Sequence, residues 1–381
     1  MIGNPPYNEL RDLDEQLQKL YKKCKFQKYA QGGRINLFQY FYPLGIDIAK
    51  KGGIINFIVQ NSLLGEDSAY NNRKLIFDNT KINHIDSFPE RDNVKLRVFE
   101  SAKMSVCICF LEKKENCEND NFSVFTWKDR FMTQKKVLVL SKQKIRRLYP
   151  EDLTIPICAE EDFILINKIK DNASNIKISS SAGEIDMTKY KPYFTSNFNN
   201  VRIITGAQVQ RYFITDTPQQ GGINYIEKAK VCLANERKDS FKNERIVMQR
   251  ITGVDSKIRL ISTLLSPNYF CANSTNYISQ ETNELPLKFI LGLLNSKLLN
   301  YFFKQTSTNT NITAKEILKF PVPICNSSQQ TEIISLVDTI LTEKQKNNSY
   351  DTSTFEDKID EKIYDLFGLT KKERDFINTR I

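Results

Sequence analysis

An α/β layer is predicted for roughly the first 150 residues, followed by an α+β region and a helical tail. Three observations predict it. Segments with helical spacing alternate with short apolar runs as far as Trp127. After Pro150, Ser/Asn-rich stretches (Asp171 to Ala182, Thr195 to Asn200) separate short strand-like runs. From Gln329 the pattern is helical to Ile381, interrupted at Lys346 to Ser353. The domains expected are 1–150, 151–328 and 329–381.

Taken in order, Ile2-Gly3-Asn4-Pro5-Pro6-Tyr7 reads as a strand end entering a tight turn. Leu10, Leu13, Leu17, Leu20 and Tyr21 follow helical spacing. Asn36 to Lys51 predicts a second helix, stopped by the basic turn and glycines of Lys50-Lys51-Gly52-Gly53. Ile54 to Val59 is a buried strand, Asp67 to Asn79 a helix, and Ile82 to Phe88, Met104 to Leu111 and Phe122 to Trp127 are strands. In the second half Arg202 to Thr205, Arg211 to Thr215 and Arg245 to Arg250 are strand-like. Leu287 to Lys304 and Ala314 to Leu318 are helical, ahead of Phe320-Pro321-Val322-Pro323. There is no internal repeat.

The composition narrows the function. Fifty-five Lys+Arg against 45 Asp+Glu give a net charge of +10, which suits a polyanionic partner or, more simply, a basic surface. Eight cysteines include no Cys-x-x-Cys pair, and His84, in a strand-like run, is the one histidine; no metal site and no histidine base are expected. Free cysteines without a signal peptide indicate the cytoplasm. No apolar run approaches the ~20 residues that cross a bilayer.

The motif that carries chemistry is Asn4-Pro5-Pro6-Tyr7. The amino nitrogen of adenine is a poor nucleophile because its lone pair is delocalised into the ring. An Asn oxygen and a backbone carbonyl can accept both amino hydrogens and aim the lone pair at an electrophilic methyl. Consecutive prolines hold that carbonyl rigidly, and a following aromatic can stack on a base taken out of the duplex. An ordinary proline-rich turn is the alternative reading.

The motif resembles the catalytic motif of DNA adenine-N6 methyltransferases, and the downstream segments keep the family's order. Asn36-Leu37-Phe38 and the run Lys51 to Leu63 are similar to the helix and strand after that motif. Val98-Phe99-Glu100 through Ile108 is similar to a late segment whose aromatic contacts the flipped adenine. The resemblance implies a partial Rossmann-like S-adenosylmethionine-dependent methyltransferase sheet. In it, Asn4 and the Pro5 carbonyl accept from the adenine amino group, Pro6 stiffens the turn, and Tyr7 and Phe99 stack on the base. Phe88 competes for the role of Phe99, and Phe41, with Asn4, corresponds loosely to a cofactor contact.

The second half resembles the TaqI-like target-recognition domain at Ile204 to Val209, Val231 to Leu233 with Ile246 to Arg250, Ile290 to Lys297, and Asn311 through Pro323. Phe355 to Thr370 looks like the end of type IIG restriction–modification polypeptides. The partner implied is double-stranded DNA. Gln208, Gln210, Arg211, Arg237, Lys238, Arg250, Lys257 and Arg259 are the candidate DNA contacts, some reading base edges and others holding phosphates. The basic run Lys135 to Arg147 is either a cleft lining or a solvated face.

The family's Gly-containing cofactor loop and ribose-binding acid normally precede the catalytic motif, and only three residues do so here. The methyl donor is therefore expected to be S-adenosylmethionine in the intact enzyme, with no tight binding by this chain alone. The raw edge of the first strand is expected to be covered by a missing N-terminal half, a partner subunit or a second copy. Alternatives are a non-catalytic DNA-binding specificity module and methylation of RNA or a protein glutamine. A nuclease centre at Glu112-x-Lys114 with Glu90 is disfavoured, because the methyltransferase resemblance already accounts for that segment.

Overall fold

A computed structural model describes all residues except 33–34, 92, 116, 219, 232–239, 254–255 and 308–310. The chain forms two compact units, Met1–Ile164 and Leu165–Ile381.

The first unit is built on a mixed six-stranded sheet. Its strands are Ile2–Gly3 (β1), Ile54–Gln60 (β2), Thr80–Phe88 (β3), Val106–Lys113 (β4), Asn121–Trp127 (β5) and Lys135–Ser141 (β6), in the order β1-β2-β4-β3-β5-β6. β1 runs parallel to β2, and β4 is inserted antiparallel to both β2 and β3. Alternation explains β2: Ile55, Phe57 and Val59 are buried while their neighbours are not. Ile54–Gln60, Thr80–Phe88 and Asn121–Trp127 fall where the apolar runs predict them, and Val106–Lys113 starts two residues late.

The predicted helix after Asn36 is Phe38–Ile48, and it closes on β2 at Gly45. A Cβ at Gly45 would lie 2.8 Å from the Phe57 ring, and one at Gly3 would lie 3.0 Å from the same ring. Both glycines thus let the helix and β1 approach one side chain. Gly45→Val is expected to destabilise the protein by about 1–3 kcal/mol through overpacking, read from the urea midpoint.

Two buried cations fasten the remaining connections. Arg73 donates to the carbonyls of Asp152 (2.7 and 2.9 Å), Leu63 (2.9 Å) and Glu66 (2.8 Å). Lys142 donates to the carbonyls of Phe77 and Thr80 at the end of the helix Tyr70–Asn79, where orphan acceptors need a donor. The hold on Asp152, with Ile155 N–H on the Leu64 carbonyl at 2.8 Å, ties residues past Pro150 to the first unit. The contact boundary therefore lies further along the chain than the change of texture at Pro150.

One predicted element behaves differently. The helix Glu15–Lys23 buries none of its residues, so Leu17 and Leu20 face out rather than into a core.

The second unit contains two four-stranded sheets. One has Phe270–Cys271, Val201–Ile204, Asn224–Ile226 and Phe194–Thr195 in that order; the other has Ser262–Leu265, Arg245–Gln249, Thr275–Ser279 and Ser181–Ala182. Ile204, Val209, Val247, Leu265, Cys271 and Tyr277 form a shared core. The helical stretch expected over Leu287 to Lys304 is two helices, Leu287–Asn295 and Lys297–Thr306. Ser296 breaks it, because its hydroxyl accepts from Leu299 N–H at 3.1 Å and caps the second helix.

The tail packs within this unit. Its helices are Ser327–Lys346, Ser353–Leu366 and Lys371–Arg380. Ile333 and Val337 of the first reach the Cβ position of Gly292, and buried Asp360 of the second accepts from Lys297 N–H at 2.7 Å. Burial raises the Asp360 carboxyl to about 6, against the Lys297 contacts that lower it. The folded protein therefore binds a proton that the unfolded chain has released, and stability from this group falls as pH rises from about 4 to 6. Asp360→Asn should remove that term, changing the difference in unfolding free energy between pH 4 and 7 by up to about 3 kcal/mol. Urea titrations of both proteins across this range would measure it.

Candidate functional site

The Asn-Pro-Pro-Tyr turn leaves the sheet where β1 ends. Ile2 and Gly3 pair with Asn56 and Phe57, and the chain then departs over the end of β2. Pro5 is buried, while Asn4 and Pro6 are exposed. Among the described residues, neither the Asn4 side chain nor the Pro5 carbonyl has a hydrogen-bond partner.

Tyr7 is pinned at both ends. Its phenol donates to the Ile58 carbonyl at 3.0 Å, and its own carbonyl accepts from Asn36 Nδ2 at 2.7 Å. Burial, with Cys107 adding to it, pushes the phenol well above its ordinary value, so Tyr7 stays a neutral donor and not a base. Asn36 also donates to Gln60 Oε1 at 3.1 Å, and its own oxygen accepts from Phe38 N–H at 3.2 Å, starting the helix. Leu37 N–H on the Asn8 carbonyl (3.0 Å) and Leu10 N–H on the Ile35 carbonyl (2.8 Å) complete the clamp.

Asn36 and Gln60 are thus positioning residues, and neither received a role from the sequence. Asn36 lies in a segment that resembles the family, but its reach back to Tyr7 is a tertiary contact. Asn36→Ala leaves the Tyr7 carbonyl without this donor and is expected to cost about 1–3 kcal/mol. The measurements are thermal unfolding and faster amide exchange at Leu10 and Leu37.

The structure brings Tyr7 and Phe99 together. Their ring centroids lie 5.8 Å apart with planes at 62°, an edge-to-face contact. Phe88 is buried at the end of β3. Phe41 is half-buried on the helix Phe38–Ile48. His84 stacks on Phe110 at 3.9 Å within the sheet. No group of residues able to hold a metal ion occurs among the described residues.

The candidate DNA contacts fall into distinct environments. Gln208 is fully buried, its amide oxygen accepting from Thr205 N–H at 3.0 Å in a capping box. Arg259 is buried, its guanidinium 4.5 Å over the Phe303 ring and donating to the Ser307 carbonyl at 3.4 Å. Arg211 is held by Glu356 and, at 2.8 Å, by the Asn295 carbonyl. These three side chains are occupied internally. Gln210 and Arg250 are half-exposed, with single bonds to the Ala207 carbonyl (3.4 Å) and the Asn273 carbonyl (3.2 Å), and Lys257 is exposed. Arg237 and Lys238 lie outside the described residues.

Much of the run Lys135 to Arg147 has partners in its own unit. Lys135 lies over Phe125 at 3.9 Å, Lys144 is 3.9 Å from Glu160, and Arg146 pairs with Asp78 and Glu118 at 2.8 and 3.0 Å.

Residues 1–94 match the family described as Eco57I restriction-modification methylase, and residues 201–322 match the TaqI-like C-terminal specificity domain. The chain thus resembles a restriction-modification methylase in its first stretch and a specificity domain in its second. Curated relatives agree. The chain is 26% identical over 146 residues to the type II restriction enzyme and methyltransferase RM.Eco57I of Escherichia coli, covering 37% of this chain and 14% of that protein. It is 22% identical over 342 residues to the type II methyltransferase M.BsuBI of Bacillus subtilis, covering 84% of this chain and 64% of that one. Among solved structures, the type IIL restriction-modification enzyme MmeI, in complex with DNA, shares the fold with TM-score 0.64 and 13% identity. That similarity covers 100% of this chain and 56% of MmeI. The chain therefore spans less than two thirds of these relatives' length.

Proposed function

We propose that the chain supplies the catalytic turn and the DNA-recognition module of a site-specific DNA adenine-N6 methyltransferase from a restriction–modification system. The observation that carries this reading is the Asn4–Tyr7 turn. It combines two acceptors without a hydrogen-bond partner among the described residues, Asn4 Oδ1 and the Pro5 carbonyl, with an aromatic fixed at both ends. An adenine amino group placed there would donate one hydrogen to each acceptor, leaving its lone pair free to take a methyl from the sulfonium of S-adenosylmethionine. The S–CH3 bond would break, the thioether would leave, and one amino proton would pass to solvent. No covalent enzyme intermediate is needed. The base must first leave the duplex.

Two stacked faces need about twice the ~3.4 Å base-stacking distance, more than the edge-to-face contact of Tyr7 and Phe99 allows. Tyr7 is tied down, so Phe99 is the ring that moves.

S-adenosylmethionine supplies the electrophilic methyl in the intact enzyme. The described residues of the first unit offer it Asn4 and Phe41. Gly52 (φ 76) and Gly53 stand in the tight turn that enters β2, not in a loop leaving a strand. The residues present do not by themselves build a cofactor cradle, and no tight binding by this chain is expected. The open side of β1, where Ile2 is 87% exposed, suits cover by further polypeptide.

Recognition of duplex DNA is assigned to the specificity domain, with Lys257, Arg250 and Gln210 the described candidates that are at least partly exposed and not held in an ion pair as Arg211 is. Fluorescence anisotropy with labelled duplexes tests this. The expected result is an affinity that falls linearly with salt on logarithmic axes and exceeds that for RNA of the same sequence. Equal or tighter binding to RNA, or no binding, contradicts it.

A further inference from the structure

We infer that the hairpin tip Phe131–Met132 is a wedge that enters duplex DNA beside the extruded base, an inference that rests on the proposed DNA-methyltransferase function. The tip closes the antiparallel pair β5–β6, whose last rung joins Trp127 to Lys135. Phe131 is 60% exposed and Met132 45% exposed, so two large apolar side chains stand in water where polar turn residues would be the stable choice.

The tip is nonetheless well built. Asp129 Oδ1 accepts from Phe131 N–H at 2.9 Å, Lys128 N–H donates to the Gln134 carbonyl at 2.9 Å, and Trp127 Nε1 anchors the base of the hairpin on Asp86 at 2.7 Å. Met132 is held at φ 57, a left-handed conformation that costs a non-glycine residue energy and that clusters at functional positions.

The location is what gives the tip a role. The loop that carries Phe99 is bonded to this hairpin at three points. Arg130 N–H donates to the Leu96 carbonyl at 3.3 Å, Arg130 pairs with Glu100 at 2.7 Å, and Arg91 Nε donates to the Lys128 carbonyl at 2.7 Å. The apolar tip and the loop of the ring proposed to cover the base are therefore fastened together. Basic residues outnumber acidic ones along these segments: Lys128, Arg130 and Lys135 flank the tip and Arg91, Lys95 and Arg97 lie in the adjoining loop, against Asp129, Glu90 and Glu100, the last paired with Arg130. Their charge favours a polyanion over an apolar protein surface as the occupant.

Apolar side chains inserted between base steps unstack them and offset the energy of opening the duplex. A Phe-Met tip on a stiff two-stranded ribbon, fastened to the Phe99 loop, has the shape and charge for that insertion.

The test uses the full chain. Duplexes that bind are first selected from a pool with a randomised centre, and 2-aminopurine is then placed at each adenine of a selected duplex in turn. The expected result is a fluorescence rise of several-fold at one or more positions. In Phe131→Ser/Met132→Ser that rise disappears and Kd increases about tenfold, the scale of one lost base–aromatic contact. Phe131→Trp keeps both signals. Both side chains are exposed, so the double variant is expected to unfold at the same urea concentration as the unsubstituted chain. A double variant that matches the unsubstituted chain in Kd and in 2-aminopurine signal overturns the wedge alone. If the unsubstituted chain selects no duplex, the DNA reading falls and the wedge with it.

Discussion

Asn4→Ala is expected to slow methyl transfer by about 100- to 1,000-fold in the intact enzyme, the usual cost of removing one preorganised group from a developing charge. Duplex affinity should stay within about twofold. The split follows from geometry. Asn4 is exposed and has no partner among the described residues, so its removal leaves no buried group unsatisfied and no strand unpaired. Asn4→Asp keeps an accepting oxygen and should retain more activity than the alanine variant. A kcat loss without a rise in KM for DNA is the signature, because the contact is made to the amino nitrogen as it becomes tetrahedral. A stability loss accompanying Asn4→Ala would instead assign the residue to the fold.

Glu184→Ala should strongly destabilise the second unit, by about 3–5 kcal/mol. Glu184 and Arg245 form an ion pair with both side chains essentially buried. The second carboxylate oxygen accepts from Cys271 N–H at 2.8 Å, and Arg245 also donates to the Tyr269 carbonyl at 2.6 Å and lies 4.6 Å over the Tyr277 ring. Removing the carboxylate leaves an uncompensated buried guanidinium and an unpaired amide together. Urea unfolding followed by circular dichroism measures it, and Glu184→Gln, which keeps an acceptor for the Cys271 amide but not the charge opposite Arg245, should recover only part of the loss. DNA binding should fall in proportion to the folded fraction, since this pair links the strand Arg245–Gln249 to the neighbouring chain at Tyr269 and Cys271.

How much of the fold and the site is legible in the sequence depends on the range of the interaction. β2 is readable because alternation of Ile55, Phe57 and Val59 is a local property, and the turn is readable because Asn-Pro-Pro-Tyr constrains its own backbone. The helix over Glu15–Lys23 has the same local quality of pattern, yet Leu17 and Leu20 are exposed, because spacing cannot say whether a partner surface exists.

The polar candidates divide for the same reason. Arg211 finds Asn295 and Glu356, 84 and 145 residues further along. Gln208 turns back on Thr205 and Arg259 settles over Phe303. A cation suited to DNA by its charge carries no mark of the acceptor waiting for it in the fold. Asn36 shows the converse: an unremarkable helix-start residue whose amide reaches 29 positions back to hold the Tyr7 carbonyl.

The most direct test of the central claim follows the methyl group. The intact enzyme containing this chain is incubated with duplex DNA and S-adenosylmethionine carrying a labelled methyl, and the digested nucleosides are resolved by mass spectrometry. Label in N6-methyladenine is the predicted result, lost in Asn4→Ala. Label in N4-methylcytosine, or none in DNA while cofactor and duplex are both bound, contradicts it.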